Sequence, residues 1–317
     1  MAGGIRDHGF FVSVIIPNYD GMRYIPECLE SLKRQTFSPF ELIVVDNGST
    51  DGSVDFIRQN FPSVKLILLK KNYGFSRAVN TGIRASLEDK KVKYVVLLNN
   101  DTSAGETWLE ELVRGMEGDS AAGSGASKIM FFDRPDTINS AGDIYGRDGF
   151  SDHRGVWQKD NGQFDSEAKV FGASAAAAIY RRSALEDTGL FDEDFFAYCE
   201  DVDLSFRAQL KGYECRYIPR AVVYHRGSST GRSIAGYYVA RNSLFVLIKN
   251  MPASILIKYL PKIIFSRILY LSRRKDRMAQ LKALFAGLWK GAAMAKKRRM
   301  IQRSRRARDT YIESILR

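Results

Sequence analysis

The stretch at residues 94–101 constrains the fold most strongly. Its first five residues, Tyr94 to Leu98, are all apolar, which is typical of a strand buried on both faces of a parallel sheet. The run stops abruptly at Asn99, Asn100 and Asp101. Ligands bind at this carboxyl end of the strands in open α/β sheets, and a divalent cation that carries a diphosphate needs a carboxylate there. An Asx turn or a helix cap is the alternative explanation for Asp101.

The residues after Asp101 predict a helix. Ser103 and Glu106 have the spacing of a capping box. Apolar residues then recur at helical spacing: Trp108, Leu109, Leu112, Val113 and Met116. Asp101 is therefore expected directly before a helix. Ser183 and Glu186 have the same capping-box spacing further along the chain.

Apolar runs alternate with helical patterns along the first hundred residues. Strands are predicted at residues 10–17, 41–45, 64–69 and 94–98, with helices between them. Strands that alternate with helices at this spacing indicate βαβ units and a parallel sheet. Three of these strands end in a carboxylate or a polar turn, so we expect polar groups to gather at one edge of the sheet.

The remainder of the domain is less regular. Residues 120–169 are rich in glycine, and loops with short strands beside the site are expected there. Further strands are predicted at residues 170–180, 213–218 and 222–225. The segment 190–207 interleaves aromatic residues with six acids.

Carboxylates that follow strand ends or lie in the acidic segment are the candidates for chemistry: Asp46, Asp51, Asp101, Glu200, Asp201 and Asp203. If the sheet edge brings them together, their charges need a cation or shared protons to coexist. A divalent metal with a diphosphate meets this need, and water activation, phosphoryl transfer and glycosyl transfer all use such sites.

Some of these residues have structural alternatives. Asp203 has the spacing for a helix cap or for an ion pair with Arg207. Glu200 and Asp201 favour function, because unpaired carboxylates beside aromatic residues cost free energy. His225 ends a strand, and both metal ligation and a structural role are open for it. An imidazole with one or two carboxylates would suit Mn²⁺ as well as Mg²⁺.

Composition limits the partners. The net charge is +12, and the excess lies in the tail from about residue 249, which favours an anionic surface, either lipid or nucleic acid. Residues 254–271 and 281–289 have the pattern of basic amphipathic helices that lie on anionic membranes, with a kink expected at Pro261. Packing back on the domain, or dimerisation, is the alternative for these helices.

Compartment and topology follow from a few further features. The three cysteines have no CxxC spacing, so no disulfide frame or zinc site is expected and a reducing compartment is the default. No signal-peptide hydrophobic region precedes the first strand. No uncharged apolar run reaches about 18 residues, so no membrane-spanning helix is predicted.

Taken together, the motifs resemble the family 2 glycosyltransferases of the GT-A fold. The resemblance is carried, in order and spacing, by residues 12–17 with Tyr19, VDNGSTDGS at 45–53, NYGFSRAVNTG at 72–82, LLNND at 97–101, YCEDVDLSFR at 198–207, and His225 with Gly227 and Ser228. It covers about residues 10–247 and is strongest for the rhamnosyltransferase-like branch of cell-surface polysaccharide synthesis. It implies a Rossmann-like, mostly parallel central sheet flanked by helices in residues 1–247, followed by a basic amphipathic helical tail in residues 248–317.

The resemblance also implies roles for single residues. Binding of the nucleotide would fall on Pro17, Tyr19, Asp46, Asp51, Asn72, Gly74, Asn99 and Asn100. Asp46 would hydrogen-bond a uracil or thymine ring. Asp101 and His225 would hold Mg²⁺ or Mn²⁺. Metal binding would depend mainly on Asp101, because Asn99 stands where many relatives carry a carboxylate.

Catalysis would fall on the acidic segment. Asp201 would be the general base that takes the proton from the acceptor hydroxyl, and Glu200 would orient donor or acceptor. The implied reaction is inverting transfer from a UDP- or dTDP-sugar, with dTDP-L-rhamnose as the first candidate, to a glycan or lipid-linked glycan. The expected location is cytoplasmic, at the inner face of an anionic membrane. No nucleic-acid partner is expected, and the chain can be either a monomer or a homo-oligomer.

Two alternatives are weighed against this interpretation. A sugar nucleotidyltransferase also uses acids at strand ends, but it should carry a glycine-rich loop after the first strand, where this chain has Pro17-Asn18-Tyr19-Asp20. A non-catalytic protein that binds membranes or nucleic acid would explain the basic tail. It would not explain the acidic segment, and no nucleic-acid recognition motif is visible.

Overall fold

The computed structural model describes residues 11–227, 232–273 and 277–317. Phe10, with which the first predicted strand begins, and Ser228 of the resemblance lie outside these ranges. The strands are β1 (Phe11–Asn18), β2 (Phe40–Asp46), β3 (Lys65–Leu68), β4 (Val92–Leu98), β5 (Thr102–Ala104), β6 (Ala122–Phe131), β7 (Arg134–Ser140), β8 (Asp143–Tyr145), β9 (Ser151–His153), β10 (Ala168–Val170), β11 (Ala177–Arg181) and β12 (Glu214–His225). The helices are α1 (Ile25–Lys33), α2 (Ser53–Asn60), α3 (Phe75–Leu87), α4 (Trp108–Glu117), α5 (Arg182–Thr188), α6 (Glu200–Leu210), α7 (Arg232–Asn250), α8 (Ala253–Ser272), α9 (Arg277–Trp289), α10 (Gly291–Ser304) and α11 (Asp309–Ile315).

A central sheet organises the catalytic part of the chain. Its strand order is β10-β12-β6-β11-β4-β1-β2-β3, with β5 paired to β12 and β7 paired to β6. Strands β3, β2, β1 and β4 are parallel neighbours, and β11 runs antiparallel between β4 and β6. The predicted α/β fold with a mostly parallel sheet flanked by helices is therefore confirmed.

Strand β4 is the buried centre that the sequence predicts. Residues Tyr94 to Leu98 are 0% exposed. Because side chains alternate across a strand, Val96 and Leu98 pack on the face covered by α1 and α4, whereas Val95 and Leu97 pack on the face covered by α3. The edge at which β4 ends is therefore held rigidly between two packed layers.

Both predicted capping boxes are wrong. Ser103 lies in the short strand β5, where it pairs with Tyr224 of β12, and α4 begins only at Trp108 with Thr107 as its cap residue. Ser183 lies inside α5, which begins at Arg182. No side-chain hydrogen bond caps either helix. At Ser103, backbone pairing with β12 competes successfully with local capping, so Asp101 precedes a strand rather than a helix.

The glycine-rich middle contains a long central strand, β6, where loops with short strands are expected from the sequence. Strand β6 is ten residues long and nearly all buried. A Cβ atom on Gly125 would lie 2.7 Å from the Ile179 side chain and 2.8 Å from that of Ile218. Gly125 therefore permits close packing between neighbouring strands and does not form a turn. A glycine inside a strand nevertheless makes the sequence resemble a loop.

Two further strand predictions change in extent. The predicted strand at 170–180 is split between β10, which ends at Val170, and β11, which starts at Ala177. The two strands predicted at 213–218 and 222–225 are one strand, β12, whose pairing with β6 shifts register between Ile218 and Val222. Residues at such an irregularity interrupt the strand pattern in the sequence, so one strand is predicted as two.

The tail is only partly separate from the domain. The expected boundary at residue 247 falls inside α7, and Pro261 lies within the continuous helix α8. Helix α10 packs back on the domain, where Lys297 Nζ lies 2.5 Å from Asp192 Oδ1. Arg306, beyond α10, pairs with Asp187. Within the described ranges, no helix is both long enough and apolar enough to cross a membrane.

An ion cluster fastens α7 to α6. Asp203 is 0% exposed, and its Oδ2 lies 2.9 Å from Arg207 Nε and 2.8 Å from Lys249 Nζ. Lys249 Nζ also lies 2.6 Å from Asp192 Oδ2. The structural alternative for Asp203, an ion pair with Arg207, is therefore confirmed.

We expect Lys249→Met to lower the free energy of unfolding by about 3 kcal/mol, because the buried carboxylates of Asp192 and Asp203 each lose one of their two cations. Urea denaturation followed by circular dichroism measures this change. Lys159→Met is the matched control, since its ion pair with Asp136 is exposed and contributes less than about 1 kcal/mol. Equal destabilisation by both variants would show that the buried cluster is not what fastens α7.

Candidate active site

A cavity of about 430 Å³ opens at the carboxyl edge of the sheet. Of the predicted site residues, Asn99 after β4, Glu200 and Asp201 at the start of α6, and His225 at the end of β12 line it. These residues are separated by up to 126 positions in the sequence. The order of the strands brings them to one place, as the argument from strand ends requires.

Asp101 and His225 form a pair beside this cavity. Strand β5 pairs with the end of β12, so Thr102 lies opposite His225, and the preceding Asp101 comes within reach. Asp101 Oδ1 lies 3.2 Å from His225 Nε2, and both side chains are largely buried. Two ligands at right angles around an ion, with bonds of about 2.1 Å, lie about 3 Å apart. The spacing therefore fits two ligands of one divalent cation.

The described residues contain no group of three histidine, cysteine, aspartate or glutamate side chains arranged for a metal. The amide oxygen Oδ1 of Asn99 is buried and has no hydrogen-bond partner in the described structure. Mg²⁺ is commonly held by one or two protein ligands together with water and substrate phosphates. Asp101 and His225, with Asn99 nearby in sequence, fit an ion of this kind.

Asp201 has the properties of a general base. Its Oδ2 accepts a hydrogen bond from the Ala175 amide at 3.1 Å, and its Oδ1 accepts one from the Val202 amide at 2.8 Å. Burial, followed by repulsion from Asp143, raises the pKa of Asp201 to about 6, although these amides and the charge of His153 act in the opposite direction. The carboxylate is thus ionised at neutral pH, with a pKa closer to neutrality than an exposed aspartate has, which suits proton abstraction.

Glu200 differs from its neighbour. Burial, together with the charges of Asp201 and Asp203, raises the pKa of Glu200 well above its usual range, and its Oε2 has no hydrogen-bond partner in the described structure. A carboxyl that stays protonated at neutral pH donates a hydrogen bond instead of repelling an anion. Glu200 is therefore suited to orient a substrate oxygen.

The segment before α6 has an unusual backbone. Phe196, Tyr198 and Cys199 have φ values of 67°, 70° and 62°, in the region that non-glycine residues seldom occupy. The side-chain amide of Asn242 in α7 donates to the carbonyls of Phe195, Ala197 and Tyr198 at 3.0, 2.8 and 2.7 Å. Strain of this kind persists only where surrounding contacts enforce it. Asn242 therefore fixes the backbone that presents Glu200 and Asp201.

Gly74 supports the same segment from α3. Its φ is +89°, and a Cβ atom there would lie 2.5 Å from the carbonyl oxygen of Phe196. Asn72 Oδ1 accepts a hydrogen bond from the Gly74 amide at 2.8 Å. The glycine at position 74 is thus required both by its backbone angle and by the close approach of the segment that precedes α6.

Asn18 connects the residues at the ends of the first strands. It is 1% exposed, donates to Asp46 Oδ1 at 2.9 Å, and accepts from Asn100 Nδ2 at 2.9 Å. Asp46 Oδ2 also accepts from the amides of Gly48 and Ser49. The carboxylate of Asp46 holds the turn after β2 and does not line the cavity, so its role toward a pyrimidine base stays a prediction.

The remaining predicted nucleotide residues lie near this turn. Asp51 Oδ2 accepts from the Met22 amide and Oδ1 from the Ser53 hydroxyl, both at 2.6 Å. Although burial raises its pKa, these hydrogen bonds outweigh that effect and hold the pKa of Asp51 below its usual value. Pro17 is half-buried at the end of β1, and Tyr19 is 49% exposed.

Residues 13–189, more than half of the chain, match the family model of glycosyl transferase family 2. The chain belongs to this family. The predicted family and the predicted enzyme class are thus confirmed, and this family 2 glycosyltransferase is neither a nucleotidyltransferase nor a non-catalytic binding protein.

Curated relatives agree with the predicted branch. The N-acetylglucosaminyl-diphospho-decaprenol L-rhamnosyltransferase of Mycobacterium tuberculosis is 29% identical over 72% of this chain and 80% of its own length. The O-antigen biosynthesis protein RfbC of Myxococcus xanthus is 26% identical over 71% of this chain and 18% of its own length.

Solved structures share the GT-A fold with this family 2 glycosyltransferase. The mannosyltransferase PcManGT of Pyrobaculum calidifontis, solved with GDP-Man and Mn²⁺, has a TM-score of 0.56 at 18% identity and covers 96% of this chain and 85% of its own. Staphylococcus aureus TarS (residues 1–349) with UDP-GlcNAc has a TM-score of 0.58 at 19% identity and covers 92% and 90%. GalNAc-T7, solved with UDP, GalNAc and Mn²⁺, has a TM-score of 0.66 at 14% identity and covers 96% and 56%.

Two residues that position the site were not singled out from the sequence. Asn18 received no role from the sequence, although it directly follows the first predicted strand, at the edge where Asp46 and Asn100 also lie, and this position was an available signal. Asn242 lies in a helix far from every motif. Its contacts are with backbone carbonyls, which no residue pattern records.

We expect Asn242→Ala to reduce glycosyl transfer about 100-fold, because the segment that presents Asp201 loses three hydrogen bonds and a small displacement of a reacting group is costly. Hydrogen exchange tests the cause directly, since the Asp203 amide, which donates to the Cys199 carbonyl, should exchange faster. Asn60→Ala is the matched control, because that amide donates only to the Phe56 carbonyl on an exposed helix surface. Normal transfer by Asn242→Ala would contradict the assignment.

Proposed function

We propose that this enzyme is an inverting, metal-dependent glycosyltransferase that moves a sugar from a UDP- or dTDP-sugar to a lipid-linked glycan in cell-surface polysaccharide synthesis. The observation that carries the proposal is the placement of Asp201, ionised at neutral pH, in one cavity with His225, the partner of Asp101. The first donor to test is dTDP-L-rhamnose. The name of the mycobacterial relative supports both that sugar and an acceptor linked to a lipid diphosphate.

The chemistry follows from the two sides of the cavity. Asp201 accepts the proton of an acceptor hydroxyl as that oxygen attacks the anomeric carbon. Attack from the face opposite the departing nucleoside diphosphate inverts the anomeric centre. Asp101 and His225 would hold Mg²⁺ or Mn²⁺, which supplies charge stabilisation to a departing diphosphate. Glu200, whose pKa burial raises, would donate a hydrogen bond to a substrate oxygen from its protonated form.

A pair of substitutions separates the two roles. We expect Asp101→Ala to weaken metal-dependent donor binding at least about tenfold, because a charged metal ligand is lost. We expect Asp201→Asn to bind donor normally while transfer falls at least about 100-fold, because the amide cannot take the proton. Calorimetry with UDP- and dTDP-sugars and Mn²⁺ or Mg²⁺ measures binding, and release of nucleoside diphosphate with acceptor present measures transfer.

Asp55→Asn is the control for these substitutions, since Asp55 is an exposed carboxylate on α2. It should leave both measurements unchanged. Transfer by Asp201→Asn at the wild-type rate would mean that another group takes the proton. Metal-dependent binding by Asp101→Ala at wild-type affinity would place the ion elsewhere.

The outer surface of α8 and α9, here called the apolar tail surface, supports membrane contact. Its exposed apolar residues are Ile257, Leu260, Ile264, Phe265, Ile268, Met278, Leu281, Phe285, Leu288 and Trp289. Exposed Lys262, Lys282 and Lys290 lie on the same two helices or directly after them. Large exposed apolar areas with neighbouring basic residues are typical of helices that lie in the interface of an anionic membrane. The membrane would bring the enzyme to a lipid-linked acceptor.

We expect the double variant Phe285→Glu/Trp289→Glu to bind vesicles of phosphatidylglycerol and phosphatidylcholine at least about tenfold more weakly, because two aromatic side chains no longer enter the lipid. Vesicle sedimentation measures the affinity. Met300→Glu is the control, an exposed apolar residue on α10 outside the apolar tail surface. Vesicle binding by the double variant equal to that of the wild type would contradict membrane contact through this surface. A wild-type dimer in light scattering that the double variant abolishes and Met300→Glu does not would assign the surface to self-association instead.

A further inference from the structure

A second charged pair, distinct from Asp101 and His225, lines the cavity. Asp143 in β8 and His153 in β9 are opposite each other in an antiparallel hairpin. His153 Nδ1 lies 2.6 Å from Asp143 Oδ1. Both residues line the same cavity as Asp201. No step of the proposed reaction uses them so far.

Asp143 is buried and held by a backbone hydrogen bond, whereas His153 is partly exposed to the cavity. Asp143 is 2% exposed, and its backbone amide donates to the Gly172 carbonyl at 2.9 Å. The His153 side chain is 43% exposed and faces the cavity. Its Nδ1–H is directed at Asp143, and its Nε2 has no hydrogen-bond partner among the described residues. A charged ring therefore offers its Nε2–H to the cavity.

His153 is one of few basic groups in a cavity that is lined mainly by acids. The acids that line it are Asp143 and Asp152 from the hairpin and Glu200 and Asp201 from α6. The basic groups among its described lining residues are His153 and His225, with no lysine or arginine. His225 lies against Asp101. Among these lining residues, His153 is the basic group whose charge acts on the proposed base.

Two other titratable groups beside Asp201 are uncharged at neutral pH. Burial raises the pKa of the Cys199 thiol, which precedes α6, and of the Tyr180 hydroxyl in β11, far above their usual values. Burial and the charge of Asp201 raise the pKa of Glu200 as well, which disfavours its charged form. The field at Asp201 is therefore set mainly by Asp143 and His153.

We propose that Asp143 and His153 act as positioning residues: Asp143 fixes an imidazolium whose charge offsets part of the repulsion between Asp143 and Asp201, and whose Nε2 donates to an oxygen of the acceptor sugar. The inference rests on the proposed function for the identity of the acceptor. It adds a second hydrogen-bond donor on the acceptor side of the base.

The pH dependence has a defined sign. Burial lowers the pKa of His153, but the charge and hydrogen bond of Asp143, with the charges of Asp201 and Asp152, outweigh it and raise the pKa to about 9. The ring is therefore positive at neutral pH and lowers the pKa of Asp201. Without that charge, the pKa of Asp201 is higher. As the pH is lowered, a variant without the His153 charge therefore loses activity at a higher pH than the wild type does.

Kinetics of His153→Gln in the full chain test the proposal. The acidic limb of the kcat/KM profile should move up by about one pH unit. The KM for acceptor should rise several-fold, whereas the KM for donor should not change. Lys159→Gln removes one positive charge from an exposed site paired with Asp136 and should move neither quantity. A profile and an acceptor KM equal to those of the wild type would overturn the proposal.

A second measurement needs no substrate. The chain has three histidines, so imidazole resonances in an NMR pH titration are few, and the spectrum of His153→Gln assigns the one of interest. The wild-type His153 should titrate near pH 9, and Asp143→Asn should bring it to about its ordinary value of 6.5 or below. Titration of the wild-type ring near 6.5 would overturn the inference even if transfer occurs. Absence of transfer from every donor, with the ring titrating near 9, would instead overturn the proposed function.

Discussion

The hydrogen bonds from one side chain in α7 to three carbonyl groups determine the geometry on which catalysis depends. Without Asn242, the left-handed backbone of Phe196, Tyr198 and Cys199 would relax toward ordinary angles, and the first turn of α6 would turn away from the cavity. Gly74 contributes by leaving room for the same segment. The site is therefore built by contacts between elements distant in sequence, and a helix outside the recognisable motifs is part of it.

The buried carboxylates coexist because each is accommodated by a different physical means. Asp203 is neutralised by Arg207 and Lys249, which makes it structural. Asp46 is satisfied by Asn18 and the amides of its turn. Among the described residues, no cation is in direct contact with Glu200 or Asp201, and burial without such a partner raises both pKa values. Carboxylates that the protein leaves incompletely compensated are those available for chemistry.

The sequence predicted what depends on local pattern and strand order. The buried strand β4, the parallel strands beside it and the gathering of Asp101, Asp201 and His225 near one edge all follow from residue periodicity. Strand β6 was missed because its glycines serve close packing against Ile179 and Ile218, which only the neighbouring strands reveal. Ser103 was assigned to a cap because its pairing with β12 is a contact between residues more than a hundred positions apart. His153 received no role because its partner, Asp143, lies across a hairpin that the pattern did not show.

Helix α7 has a consequence for how the enzyme meets its substrate. It holds the segment before Asp201 through Asn242, and α9, which carries part of the apolar tail surface, packs directly on it. The carboxylate of Asp201 and the exposed apolar side chains of α9 are thus carried by one packed unit. If the apolar tail surface lies on a bilayer as proposed, Asp201 would stand at a constant height above the lipid. Acceptors would then be selected by how far their hydroxyl projects from the membrane, in addition to their chemical structure.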